Sequence, residues 1–225
     1  MFRIVFPLYP GVTQLDFTGP HQVFSRLPGA QVTAASLGGR DIGADGLTFA
    51  GLADLAKVDG CELLCVPGGL GATDAMLDEA FVGEVRRLAA GARYVTSVCT
   101  GSLVLAGAGL LTGRRAACHW AWRELLEPFG VTADEARVVR DGDIFTGGGV
   151  TAGIDLALTV AVEVAGEAVA QAIQLSLEYA PAPPFEAGRP ETAPPDVVAK
   201  VRAGMAPLAQ ARRSAAEEAA RRLAT

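Results

Sequence analysis

Apolar residues along the chain alternate between two patterns. Phe2 to Tyr9 (FRIVFPLY), Gln31 to Leu37 (QVTAASL), Cys61 to Val66 (CELLCV) and Ala92 to Val98 (ARYVTSV) are short runs rich in aliphatic and β-branched residues. Such runs predict strands buried on both faces. Between them the period changes. A helix is expected to begin near Phe17 or Thr18. Met76, Leu77, Phe81, Val85 and Leu88 give helical spacing after Ala72, and GSLVLAGAGLL (Gly101 to Leu111) reads as a small, apolar helix. GLTFAGLADL (Gly46 to Leu55) suggests a short strand and a turn. RVVRDGDIFTGGG predicts a hairpin with Asp141-Gly142 at its turn. Two more helices follow, over TAGIDLALTVAVEVAG and EAVAQAIQLSLEYA.

Strands alternating with helices imply an α/β fold, a mostly parallel sheet with helices on both faces. APAPPFEAGRPETAPP (Ala180 to Pro195) is Pro-rich and has no core pattern of its own. Because it contains Phe185, it is expected to lie on the domain as a strap. The organisation expected is one domain over residues 1–192 and a helical tail over 193–225, about Pro195 to Leu223, broken or kinked at Pro207.

Composition narrows the classes. Half of the 225 residues are apolar, enough for a sizeable core. The formal net charge of −6 argues against a nucleic-acid-binding surface. No apolar run reaches the roughly 18 residues of a membrane span. The start, MFRIVFPLYPGV, lacks the apolar core and cleavage site of a signal peptide, so a cytoplasmic protein is the expectation. The four cysteines form no CxxC pair, and with two histidines, His21 and His119, the spacing does not suit zinc. Catalysis is therefore expected to run on side chains alone, with no metal or organic cofactor.

In an open α/β sheet, ligands sit at the carboxyl ends of strands. The YVTSV strand ends in Cys99-Thr100-Gly101, where a sharp strand-to-helix turn would expose the thiol and a helix N-terminus would favour thiolate. The local residues leave Cys99 open between a nucleophile and a buried small residue. Asp16 fits a helix cap, or a carboxyl reaching across to Cys99. Pro67 to Thr73 (PGGLGAT) offers unhindered amides for an oxyanion, and His119 could pair with a thiolate or make a structural hydrogen bond. His21, Cys61, Cys65, Cys118, Trp120 and Trp122 read as packing residues. The Gly-rich Thr146 to Gly153 lacks a phosphate-loop motif and reads as tight packing near a site.

Five segments in order, FPLYPGVTQLDFTGPHQVF, LLCVPGGLGA, VTSVCTGSLVLAGAGLLTGRRAACHW, TGGGVTAGIDLAL and QLSLEYAPAPPFEAG, resemble the ThiJ/PfpI superfamily, whose fold is related to class I glutamine amidotransferases. The resemblance runs from about Phe2 to Glu191. It implies a flavodoxin-like three-layer sandwich and a homodimer. Asp16 before FTGP, Thr100 in place of the histidine of PfpI-type peptidases, and the late segment are most similar to the isonitrile hydratase branch. That branch implies a small-molecule isonitrile substrate, with Cys99 as nucleophile, Asp16 as proton donor and acceptor, and Thr100 as a hydrogen-bonding partner. Gly69, Leu70, Gly71 and His119 would bind substrate or oxyanion. Two other readings stay open: a cofactor-independent glyoxalase or deglycase, and a redox sensor in which Cys99 oxidises. AraC-type regulators share the N-terminal domain, but the 31 residues from Pro195 onward are too few for their helix-turn-helix region.

Overall fold

The computed structural model describes residues 1–224. In chain order the elements are β1 (Phe2–Pro7), α1 (Gln14–Phe24), β2 (Ala30–Ser36), β3 (Ile42–Ala44), β4 (Leu47–Phe49), β5 (Ala53–Asp54) and β6 (Leu63–Val66). Then come α2 (Ala72–Ala75), α3 (Glu79–Gly91), β7 (Tyr94–Val98), α4 (Gly101–Gly107), β8 (Arg115–Ala117), β9 (Thr132–Asp134), β10 (Val138–Asp141) and β11 (Ile144–Gly147). The chain closes with α5 (Ala152–Ala165), α6 (Glu167–Ser176) and α7 (Pro195–Leu223).

Seven strands form one sheet in the order β10-β11-β7-β6-β1-β2-β5. Every pairing is parallel except β10 with β11, which form the expected hairpin (Asp141 opposite Ile144). β6 and β7 lie in the middle and are buried along their whole length, as their unbroken apolar and β-branched runs require. α5 packs on α1 and α6, while α4 packs on α2, α3 and α7, so the sheet carries helices on both faces. The fold is the expected α/β sandwich. Among the described residues no helix is long and apolar enough to cross a membrane.

Four local expectations are corrected. α1 starts at Gln14 rather than Phe17, so Asp16 lies inside its first turn, and the cap position falls to Thr13, whose side chain makes no capping bond. The helical spacing after Ala72 is split in two. Asp78 ends the first piece and caps α3, accepting from the amides of Ala80 and Phe81, a locally better partner set than a continued helix offers. α7 runs unbroken through Pro207. The hydrogen bond Pro207 cannot donate would have gone to Ala203, an exposed residue whose carbonyl water can serve. Phe185 does not anchor the strap, being 76% exposed.

Candidate active site

Four neighbouring strands, β1, β6, β7 and β11, send their carboxyl ends to one place. β7 ends in Cys99, which adopts φ 58°, a left-handed conformation that a residue with a side chain enters at a cost of about 1–2 kcal/mol. Two contacts hold it there. Its N–H donates to the carbonyls of Gly147 and Gly148 at 3.0 and 2.8 Å, at the end of β11. Behind it, Gly101 opens α4 so close to β6 that a Cβ would stand 2.2 Å from the Val66 carbonyl. A buried polar chain locks the elbow further. Ser97 donates to Ser102 (2.9 Å), Ser102 to the Ala117 carbonyl (2.6 Å), and the Ala117 N–H to Thr146 (2.7 Å), joining β7, α4, β8 and β11. The Gly-rich segment after β11 thus packs at the elbow, as read.

Asp16 is fully buried and does not cap its own helix. Its Oδ2 accepts the Gly68 N–H at 3.0 Å, across from α1 to the loop after β6, while its Oδ1 is buried with no hydrogen bond. Burial raises the Asp16 carboxyl to about 7, against the opposing pull of the Gly68 N–H and the Cys99 thiol. Cys99 is held well above the usual thiol range by burial first, then by the charge of Asp16. This corrects the expectation of a thiolate: α4 is short and buried, and desolvation outweighs its N-terminal dipole and the Thr100 N–H. The resting pair is a thiol beside a carboxyl that titrates near neutrality.

The loop Pro67-Gly68-Gly69-Leu70 is braced from three sides. Gly69 pairs with Val12 in an isolated antiparallel bridge, and Tyr9 donates its hydroxyl to the Pro67 carbonyl at 2.7 Å. The Thr100 hydroxyl accepts the Gly69 N–H at 2.9 Å and donates to the Gly69 carbonyl at 3.1 Å. Thr100 therefore fastens the loop, and its hydroxyl is not free for substrate in the way expected. The oxyanion expectation is corrected too. The Gly69 amide is taken by Thr100 and the Gly71 amide by the Gly11 carbonyl at 3.0 Å. Among the described residues the Leu70 N–H has no protein acceptor, although the Leu70 side chain itself is exposed.

His119 follows β8 at the start of a turn, its carbonyl accepting the Trp122 N–H at 2.9 Å. Its Nδ1 accepts from the Ala121 N–H at 3.3 Å, and burial with the nearby Arg212 and Arg123 charges lowers it to about 4. A neutral imidazole of this kind cannot pair as imidazolium with a thiolate. It lines a cavity of about 220 Å³ together with Cys118, Gly148, Gly149, Arg123 and Arg189 of the strap. Cys99 is not on that wall, but its neighbours Gly148 and Cys118 are. His21 packs its ring on Phe6 and Phe17, and Cys61, Cys65 and Cys118 are buried free thiols, as read. Trp120 stacks on His119, and Trp122 lies under Arg212. Among the described residues no cluster of His, Cys, Asp and Glu could hold a metal ion.

Arg212 is the site residue that sequence reading missed. It comes from α7, is 3% exposed, and its Nη2 donates to the Gly69 and Leu70 carbonyls at 3.2 and 3.4 Å.

An α/β sandwich with a cysteine on a strained strand-to-helix elbow, and a buried carboxyl delivered from the first helix, defines a class of cysteine-centred α/β proteins. Within that class the chain belongs to the DJ-1/PfpI family, whose profile matches residues 2–163. α7 lies beyond the matched part. The chain is 48% identical to an isonitrile hydratase of Pseudomonas putida, over 98% of this chain and 97% of that protein. A ThiJ/PfpI family protein from Pseudomonas syringae superposes with a TM-score of 0.89 at 38% identity, covering 97% of this chain and 90% of the other. Drosophila melanogaster DJ-1beta superposes with a TM-score of 0.69 at 26% identity, covering 80% of this chain and 99% of its own.

Proposed function

We propose that this protein adds water to isonitriles, R–N≡C, to give N-substituted formamides, R–NH–CHO, with Cys99 as nucleophile and Asp16 as proton carrier. One observation carries the reading: Asp16, buried and titrating near 7, is coupled to the Cys99 thiol at the meeting point of the strand ends. A carboxyl poised near the working pH serves equally as acid and base. The near full-length similarity to an isonitrile hydratase supports the choice of substrate.

In the first step protonated Asp16 gives its proton to the terminal isonitrile carbon as the Cys99 sulfur attacks that carbon. The thiol proton passes to the carboxylate so formed, whose Oδ1 carries no hydrogen bond. The product is a thioimidate, R–N=CH–S–Cys99. In the second step Asp16, left protonated by the thiol, gives its proton to the thioimidate nitrogen and, as carboxylate, takes one from the water whose oxygen adds to the thioimidate carbon. The C–S bond then breaks. Sulfur takes the bonding pair and the hydroxyl proton, and R–NH–CHO leaves. Thr100 keeps the Gly69 loop in register throughout, and its own N–H is directed at the Cys99 sulfur. The R group lies in the cavity bordered by His119 and Gly149. The reading includes a homodimer, as the family resemblance implies, and a cytoplasmic location.

The test is turnover of an alkyl and an aryl isonitrile by the purified protein, with formamide quantified, beside methylglyoxal under the same conditions. Formamide production that disappears in Cys99→Ala is the expected result. Unchanged turnover in Cys99→Ala sinks the covalent route. Methylglyoxal consumption without isonitrile turnover moves the protein to the glyoxalase or deglycase class.

A further inference from the structure

We propose that Arg212, delivered by the last helix of the chain, is a positioning residue of the Cys99 site: it ties down the Gly69–Leu70 turn and is the counter-charge for a sulfur anion at Cys99. The proposal rests on the site half of the reading above, Cys99 as the reacting group, and not on which substrate arrives.

The geometry around Arg212 is unusual for a surface helix rich in alanine and arginine. Its neighbour Arg213 faces out and pairs with Glu124 at 2.9 Å. Arg212 turns inward instead. Its guanidinium carbon lies 4.5 Å from the centre of the Trp122 ring, and Nη2 bridges the carbonyls of Gly69 and Leu70. Among the described residues no carboxylate is within ion-pair distance of it, and its Nη1 is buried without a hydrogen bond. A buried cation with two carbonyls and a ring face is under-compensated, since burying charge is costly until an anion answers it. The carbonyl bonds alone do not explain an arginine here, because a neutral amide donor would satisfy them at lower cost.

Position names the anion that would answer it: the Gly69 carbonyl held by Arg212 also accepts the Thr100 hydroxyl at 3.1 Å, and Thr100 directly follows Cys99. The acidic groups whose charge would act on the guanidinium are Cys99, Cys118 and Tyr9. Around Cys99 itself stand Asp16 from α1, Tyr9 after β1, Cys118 after β8 and Arg212 from α7. Burial keeps Tyr9 and Cys118 protonated and neutral, Asp16 opposes a negative sulfur when ionised, and Arg212 is the cation of the set. Tyr9 spends its hydroxyl proton on the Pro67 carbonyl at 2.7 Å, and Cys118 is a buried thiol, whereas the Cys99 thiol is hydrogen-bonded to the Asp16 carboxyl. The same side chain holds the turn that presents the Leu70 N–H. It thus sets both the charge and the position of the elbow's surroundings.

The experiment measures Cys99 without using any isonitrile. Full-length wild type, Arg212→Gln and Arg212→Lys are treated with iodoacetamide between about pH 7 and 10, and labelling of the Cys99 peptide is followed by mass spectrometry. Circular dichroism and urea denaturation report folding. Arg212→Gln, which keeps a donor but no charge, is expected to slow labelling about tenfold at equal pH, the equivalent of one unit less thiolate. Arg212→Lys is expected to stay within about threefold of wild type. A folded Arg212→Gln protein labelled at the wild-type rate, or a Lys variant as slow as the Gln variant, overturns the proposal. Should Arg212→Gln not fold, nuclear magnetic resonance of the labelled guanidinium carbon in wild type decides. Its signal must move through the same pH midpoint as Cys99 labelling, and a signal that stays fixed refutes the counter-charge. Labelling responds to Arg212 whether or not isonitriles are the substrate, so the two readings fail separately.

Discussion

Gly68 donates its backbone N–H to Asp16 Oδ2 at 3.0 Å, and a Cβ at position 68 would stand 2.7 Å from that same oxygen. It would also stand 2.5 Å from the Thr100 nitrogen and 2.8 Å from the Thr100 hydroxyl. The carboxyl is thus placed by the absence of a side chain opposite it.

Gly68→Ala tests that placement. Backbone nitrogen cannot give way, so the substitution is expected to cost about 1–3 kcal/mol in urea denaturation, as overpacking does. Isonitrile turnover should fall by more than about tenfold, because a displaced carboxyl no longer meets the reacting carbon.

Asp16→Asn is expected to trade activity for stability. The ordinary Asp value is 3.8 and the folded value about 7. Between those values the folded state keeps a proton that the unfolded state has released. Stability therefore falls as pH rises through this window, by on the order of 4 kcal/mol from this group alone at its upper end. Asparagine carries no such penalty. Urea denaturation at pH about 8 should find the variant more stable than wild type, with the difference shrinking by pH about 5. Formamide production should drop by about a hundredfold or more.

Thr100→Val removes both bonds to Gly69 and leaves its buried N–H without a partner. A loss of about 1–3 kcal/mol is expected, with Thr100→Ser close to wild type. If valine and serine variants are equally stable, the hydroxyl does not hold the loop.

Arg213→Ala is the control for its neighbour Arg212. The Arg213–Glu124 pair has side chains 49% and 64% exposed. Its loss should cost under about 1 kcal/mol in thermal or urea denaturation and leave turnover unchanged.

Much of this architecture was legible in the chain because its causes are local. The β-branched YVTSV run followed by small residues announces a buried strand and a tight elbow, and Cys99 sits there. Asp16 was legible as a residue but not as a geometry. A helix starting at Phe17 would make it a cap, and three residues of earlier helix turn it toward Gly68 instead. The charge state of Cys99 followed burial, which no local motif reports: the dipole of α4 is visible in sequence, while the desolvation that outweighs it depends on packing. The amides of Gly69 and Gly71 looked free in PGGLGA, but Thr100 and Gly11 claim them through the fold. Arg212 was illegible for the same reason. In a segment carrying Arg202, Arg212, Arg213, Arg221 and Arg222, nothing local marks the one that turns inward.

Arg212 lies 143 residues beyond Gly69 and 142 beyond Leu70. During synthesis the central strands and their loops emerge long before α7 does. The turn beside the cysteine waits for the two hydrogen bonds from Arg212 until α7 has left the ribosome. The order of manufacture therefore completes the surroundings of Cys99 only after the strands of the sheet have been made and can receive the guanidinium.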